Sequence, residues 1–256
     1  MVNRSSLSIY QFIATGLLSS CILYHLQSPI HIFCNALVTN NKSKTYNYFA
    51  FGSNMYTSTM INLRGIQPIS STAAVLPKHK LRFNIPGFPL IEPSSASVEP
   101  TNNDEEVVHG VLYKLSEEDF GTICKTEGVP FAYSLHRCRV ITYLGDGERA
   151  GQTAMQKVLD TDSDTNNIPN SNSEQSTDMS NYEVSAFTLR AARKEWRQKR
   201  KDIPPSKAYL NVLLRGAREF SLDEDYVQKL NSVKVGRTIG NGLAEELLRV
   251  AEQRNR

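Results

Sequence analysis

The chain has 256 residues, 40% of them hydrophobic, and a net charge of +3. That is enough apolar material for one core, in one large domain or in one domain with appendages. So mild a charge does not argue for nucleic acid as a partner, and the basic run from Arg190 to Lys201 around the single tryptophan, Trp196, reads as a solvated helix face.

Residues 1–45 stand apart. No Asp or Glu occurs before Glu92, and Arg4 precedes an apolar run over 9–26 that is about as long as a bilayer crossing. A positive start followed by an apolar run also fits a signal peptide, and the lack of acids fits a transit peptide. The segment is expected to target or anchor the chain rather than to join the fold. Membrane-associated, secretory and organellar destinations stay open, with the cytoplasm otherwise.

The globular part is expected over 46–256. Its first strand, 47–51, breaks at Gly52-Ser53-Asn54, and a helix is expected to follow over 55–63. A strand-to-helix turn of this kind leaves backbone N–H groups pointing one way, an anion cradle reinforced by the helix dipole. Ser53 or Asn54 acting as an ordinary N-cap explains the same residues. A strand at about 73–83 and a polar loop over 93–106 come next, then a strand at 107–114. A helix over 116–124 starts with Ser116 and Asp119 in capping-box-like spacing. Glu127-Gly128-Val129-Pro130 follows it. Further strands are expected at 135–144, 151–158 and 183–189. Between the last two, 160–182 is rich in Asp, Asn, Ser and Thr and reads as a disordered insertion. Pro204-Pro205-Ser206 opens a helix over 207–219 with Ser206 as N-cap. Helices over 222–230, capped by Ser221 and Glu224, and over 242–252 complete the chain. Strands and helices do not alternate regularly, so the expected class is α+β.

Four cysteines (Cys21, Cys34, Cys124, Cys138) contain no C-x-x-C pair, and five histidines (His25, His31, His79, His109, His136) no H-x-x-x-H pattern. No metal site is expected. Cys124 and Cys138 read as buried free thiols, and the histidines as structural or surface residues.

Three stretches taken together in this order, Tyr48-Phe49-Ala50-Phe51-Gly52-Ser53-Asn54-Met55, Glu127-Gly128-Val129 and Pro205-Ser206-Lys207-Ala208-Tyr209, resemble the γ-glutamylcyclotransferase family. The resemblance runs from about Tyr48 to about Leu230. It implies a small mixed β-barrel with surrounding helices and a substrate cavity at the barrel mouth. It also implies intramolecular aminolysis: the α-amine of a γ-glutamyl compound attacks its own γ-carbonyl, closing to 5-oxoproline and releasing an amino acid. No cofactor is implied, because nucleophile and electrophile arrive in one molecule.

The resemblance assigns Glu127 the proton transfers of that reaction. The residues around Glu127 also suit general-base work. It follows a helix C-terminus, where a carboxylate is disfavoured, and Val129, Pro130 and Phe131 are apolar enough to desolvate it. Gly52, Ser53 and Asn54 are implied to hold the substrate α-carboxylate or the developing oxyanion, two roles the resemblance does not separate. Phe51 stands on the rim where relatives carry tyrosine. Tyr133 is a candidate to orient the substrate or the carboxylate. Phe187 replaces another tyrosine of relatives and bears on substrate preference. Ser206 and Tyr209 read as a helix entry beside the cavity. Three alternatives remain: a γ-glutamylamine substrate, a protein that binds γ-glutamyl ligands without turnover, and a membrane-associated interaction protein.

Overall fold

The computed structural model describes residues 44–89, 91–143, 183–199 and 201–238. The apolar run 9–26, the strand expected at 151–158, the insertion 160–182 and the helix expected at 242–252 lie outside the described residues. Among the described residues no helix is long and apolar enough to cross a membrane.

Among the described residues seven strands are numbered in chain order: β1 Thr45–Ala50, β2 Ser70–Pro77, β3 His79–Phe88, β4 Glu92–Pro100, β5 Val107–Ser116, β6 Tyr133–Thr142 and β7 Glu183–Ala191. The helices are α1 Glu117–Thr126, α2 Lys194–Arg197, α3 Lys207–Glu219 and α4 Glu224–Asn231. Five strands close into a barrel in the order β1-β5-β2-β6-β7, and β3 and β4 pair as a separate hairpin. The α+β class and the small mixed barrel with helices around it are therefore as expected.

The barrel is mixed because of its seam. β1 runs antiparallel to β5 over six residue pairs but meets β7 in parallel, at Tyr48 and Phe187. Side chains reinforce this short closure. Thr188 Oγ1 donates to the Phe49 carbonyl at 2.9 Å, and Asn47 Nδ2 donates to the Ser185 carbonyl at 3.1 Å. The aromatic run that defines β1 is swallowed by the core: Tyr48, Phe49 and Ala50 are buried with Leu115, Ile123 and Leu213.

Four local expectations are corrected. The strand expected at 73–83 is two strands, β2 and β3, hinged at Lys78, whose φ of 54° lies in the left-handed region and so turns the chain. The polar loop expected over 93–106 contains β4. Its serines are polar yet buried, because partners answer them: Ser94 Oγ donates to the Ile203 carbonyl at 2.7 Å and Ser97 Oγ to Asn84 Oδ1 at 2.7 Å. The helix expected over 55–63 is a 3-10 turn, Ser53–Met55, and a π-helical turn, Thr59–Leu63. Tyr56, extended at φ −78° and ψ 121°, interrupts them. Finally, α4 is capped by Asp223, which accepts from the Tyr226 N–H at 3.2 Å. Ser221, with φ 48°, is in the preceding turn. α3 forms over its expected span, and Ser206 caps it by accepting from the Tyr209 N–H at 2.9 Å.

The basic run does more than line a solvated face. Arg190 Nε donates to the buried carboxylate of Glu99 at 2.7 Å, and Arg197 donates to the carbonyls of Ala191 and Ala192 at 2.8 Å. Among the described residues neither Cys124 nor Cys138 forms a disulfide; Cys138 is buried as expected, whereas Cys124 is only half-buried.

α3 presses on the 3-10 turn through a glycine. A Cβ at Gly216 would lie 2.7 Å from both Met55 Cβ and the Tyr56 backbone nitrogen. In an open helix Gly→Ala stabilises by about 1 kcal/mol. Here the sign should reverse, and Gly216→Ala is expected to destabilise by roughly 1–3 kcal/mol, as overpacking does. Chemical denaturation reads this, and a gain in stability would mean that helix and turn are not in contact.

His109 is buried, stacked on Tyr226 with 4.7 Å between ring centroids. Burial, helped by Lys229, lowers its pKa from 6.5 to about 4. The unfolded chain therefore takes up this proton first as the pH falls. The stability His109 provides is full above pH 6.5 and is lost as pH drops from 6.5 towards 4. The stability gap between wild type and His109→Gln should narrow over that window. A gap independent of pH, measured by denaturant midpoints, would contradict the assignment.

Candidate active site

The site begins with how α1 ends. Ser116 caps its start, accepting from the Asp119 N–H at 3.1 Å, and Glu117, Glu118 and Asp119 complement the positive end of the dipole. At the other end the Val129 N–H donates to the Cys124 carbonyl at 2.9 Å and the Gly128 N–H to the Lys125 carbonyl at 3.2 Å. This is the Schellman pattern, which needs a left-handed residue just past the cap. Gly128 supplies it with φ 67°. Glu-Gly-Val is thus a helix stop, and it leaves Glu127 as the C-cap residue.

The Glu127 side chain is buried, with 9% of its surface exposed. Its Oε1 accepts from Asn54 Nδ2 at 2.9 Å and from the guanidinium of Arg64, whose side chain is wholly buried. The second arm of the guanidinium donates to Thr126 Oγ1. Both hydrogen bonds fall on Oε1, and among the described residues none falls on Oε2.

Around this carboxylate a small pocket is lined by Tyr48, Phe51, Gly52, Ser53, Asn54, Ala96, Glu127, Tyr133, Leu189 and Tyr209. All six candidates from the sequence therefore share one pocket. The 3-10 turn uses the N–H groups of Met55 and Tyr56, which donate to the carbonyls of Gly52 at 3.0 Å and Ser53 at 3.2 Å. The N–H groups of Ser53 and Asn54 open the turn and are not used by it, as in any helix start. Neither Ser53 nor Asn54 acts as a side-chain N-cap; the residue before the turn is Gly52.

Several details depart from expectation. The Asn54 amide is already committed: Nδ2 donates to Tyr48 Oη at 2.9 Å as well as to Glu127. It braces the carboxylate from within the pocket wall. Gly52, at φ −113°, is in a region open to any residue. What a side chain there would meet is Tyr209 Oη, 3.2 Å from a Cβ. The apolar cover expected for Glu127 is absent on one side, since Phe131 is 68% exposed. A buried cation replaces it, because Arg64 reaches the carboxylate from a segment distant in sequence. Lys125 points outward and is exposed. Phe187 lies outside the pocket, packed with Phe120 at 5.5 Å and Tyr46 at 6.3 Å between centroids.

Tyr133 and Tyr209 grip the same residue of the β3–β4 hairpin. Tyr133 Oη donates to the Ala96 carbonyl at 2.8 Å, and the Ala96 N–H donates to Tyr209 Oη at 3.2 Å. Burial raises the phenol pKa of both and of Tyr48 well above the ordinary value, so they act as neutral hydroxyls. Arg64, Tyr48 and Ala96 were not among the sequence candidates. Tyr48 lay inside the diagnostic run. Arg64 showed only as a lone base after an apolar stretch, with no signal of its partner. Ala96 was hidden in an apparently polar loop.

The AIG2-like family matches residues 107–230 of this chain. The γ-glutamyl cyclotransferase gliK of Claviceps purpurea is 29% identical over 180 residues, which cover 69% of this chain and 64% of that protein. A γ-glutamylcyclotransferase of Bos taurus is 26% identical over 194 residues, 75% of this chain and 80% of that one. The chain spans less than two thirds of the length of the fungal relatives it matches. Among solved structures, a γ-glutamyl cyclotransferase at 20% identity superposes with a TM-score of 0.55, covering 82% of this chain and 99% of that one. The fold is shared.

The helix stop yields a test that needs no ligand. Gly128→Ala forces a Cβ into the left-handed region, a cost of about 1–2 kcal/mol. Thermal or denaturant melts should show a loss of that size. No loss would mean that the turn rearranges freely and does not fix Glu127.

Proposed function

We propose that this chain, which is similar to γ-glutamyl cyclotransferases in sequence and fold, converts a γ-glutamyl compound to 5-oxoproline and a free amine. The observation that carries the reading is the Glu127 carboxylate at the pocket wall, with Oε1 doubly hydrogen-bonded and Oε2 without a hydrogen bond among the described residues. A group fixed by one oxygen and open at the other suits a base that must return its proton.

The steps close without an external reagent. Oε2 of Glu127 takes a proton from the substrate α-ammonium. The freed amine attacks the γ-carbonyl, forming the ring C–N bond and placing negative charge on oxygen. The bond to the leaving amine then breaks as Glu127 returns its proton to that nitrogen, and the ring nitrogen passes its second proton to the released amine, leaving the neutral lactam. The N–H groups of Ser53 and Asn54 hold either the α-carboxylate or the oxyanion. Phe51, Gly52 and Tyr133 shape the wall that folds the substrate onto itself, which supplies the proximity an intramolecular attack needs. The leaving group is an amino acid or peptide in this reading, and a γ-glutamylamine is the neighbouring substrate class. The segment 1–45 and the insertion 160–182 are assigned no part in the chemistry; the first governs location.

The test is direct. Purified protein is incubated with a panel of γ-glutamyl amino acids, γ-glutamyl peptides and γ-glutamylamines, and 5-oxoproline is measured. Release from one class identifies the leaving amine. Binding without release from any class would replace the enzyme with a ligand-binding protein. Glu127→Gln keeps size and hydrogen bonding but cannot carry the proton, so kcat should fall by about 10²–10⁴-fold with the fold intact. Near-normal 5-oxoproline release from this variant would remove Glu127 from the mechanism.

A further inference from the structure

Arg64 stands just past the π-helical turn, its backbone N–H donating to the Thr59 carbonyl at 3.1 Å. Its side chain is fully buried and crosses to the end of α1, where it meets two consecutive residues, Thr126 and Glu127. Thr126 Oγ1 is itself anchored, donating to the Thr122 carbonyl at 2.8 Å. The guanidinium is thus a rigid fork with one arm on the helix and the other on the cap carboxylate. It also brings positive charge to the end of α1, where the helix dipole alone would repel Glu127.

We propose that Arg64 is a positioning residue of the reaction. It immobilises Oε1 of Glu127, together with Asn54, so that Oε2 is the oxygen that carries the proton in both transfers. The inference rests on the assignment of Glu127 as acid and base. Arg64 itself touches no substrate: it is sealed behind the carboxylate and is absent from the pocket lining. A buried guanidinium with a free choice of partners would need only one carboxylate. The two-point attachment to Thr126 and Glu127 instead fixes the angle at which the carboxylate is presented, and a planar fork does this where a point charge does not.

Two variants separate this role from simple support of the fold. Arg64→Lys keeps the buried charge but cannot hold Thr126 and Glu127 together. It should fold, with KM within about threefold of wild type and kcat lower by about 10²-fold, the cost of a misplaced reacting group. Arg64→Ala opens space for a small cation, and added guanidinium at non-denaturing concentration should restore part of its kcat. Folding of each variant is followed by circular dichroism. An Arg64→Lys enzyme with unchanged kcat overturns the proposal, as does a loss confined to KM or a folded Arg64→Ala enzyme that guanidinium does not rescue. Glu127→Gln is measured in parallel. If it stays active, the acid–base reading fails first. If it is inactive while Arg64→Lys is normal, only the positioning role fails.

Discussion

A guanidinium and a carboxylate meet in the interior of this fold, the first wholly and the second largely out of water. Neither charge is tolerable there alone: an unpaired buried ion costs several kcal/mol, and breaking one such pair by removing a partner costs about 3–5 kcal/mol. Satisfying Arg64 and Glu127 therefore requires three chain segments to converge. The π-helical turn delivers Arg64, the helix stop at Gly128 delivers Glu127, and the 3-10 turn delivers Asn54. The pocket is what remains between these segments. Its wall follows from an electrostatic need of the interior as much as from any demand of a ligand.

The remaining walls are held by neutral hydrogen bonds. Tyr133 on β6 and Tyr209 on α3 bond the carbonyl and the N–H of Ala96, which joins the β3–β4 hairpin to the barrel although the two sheets share no ladder. Tyr48 on β1 accepts from Asn54 and so links the barrel floor to the turn above it. Gly216 allows α3 to lie against that turn at backbone distance. Rigid aromatic hydroxyls, a close-packed glycine and a buried ion pair are all costly to rearrange. They hold the Glu127 carboxylate in one orientation at the pocket wall, the preorganisation that the proposed proton transfer needs.

Much of this was legible in the residues. The run Tyr48–Met55, the stop at Glu127-Gly128-Val129 and the entry at Pro205-Ser206 identify their elements because each is a local signal: an apolar strand, a left-handed glycine, a hydroxyl cap. β4 was not legible, since its buried serines look like a loop until Ile203 and Asn84 are seen to bond them. The helix expected over 55–63 was misread because its apolar spacing is helical, while Tyr56, its backbone close to Gly216 of α3, is extended. Phe187 stands where relatives often carry a tyrosine and was expected to bear on substrate preference, but it packs against Phe120 and Tyr46.

The sequence by itself determined the class of fold, through periodicity, capping and turn residues whose physics extends over a few neighbours. The family resemblance, and with it the short segments that carry the candidate chemistry, rests on the likeness of three motifs. Only the tertiary structure decided which oxygen of Glu127 is free, that Asn54 braces the carboxylate, and that Arg64 is its partner. Those facts depend on contacts between residues 63 and 73 positions apart. No local propensity encodes such a pairing; it is fixed when the barrel closes and buried charge must find its counterpart.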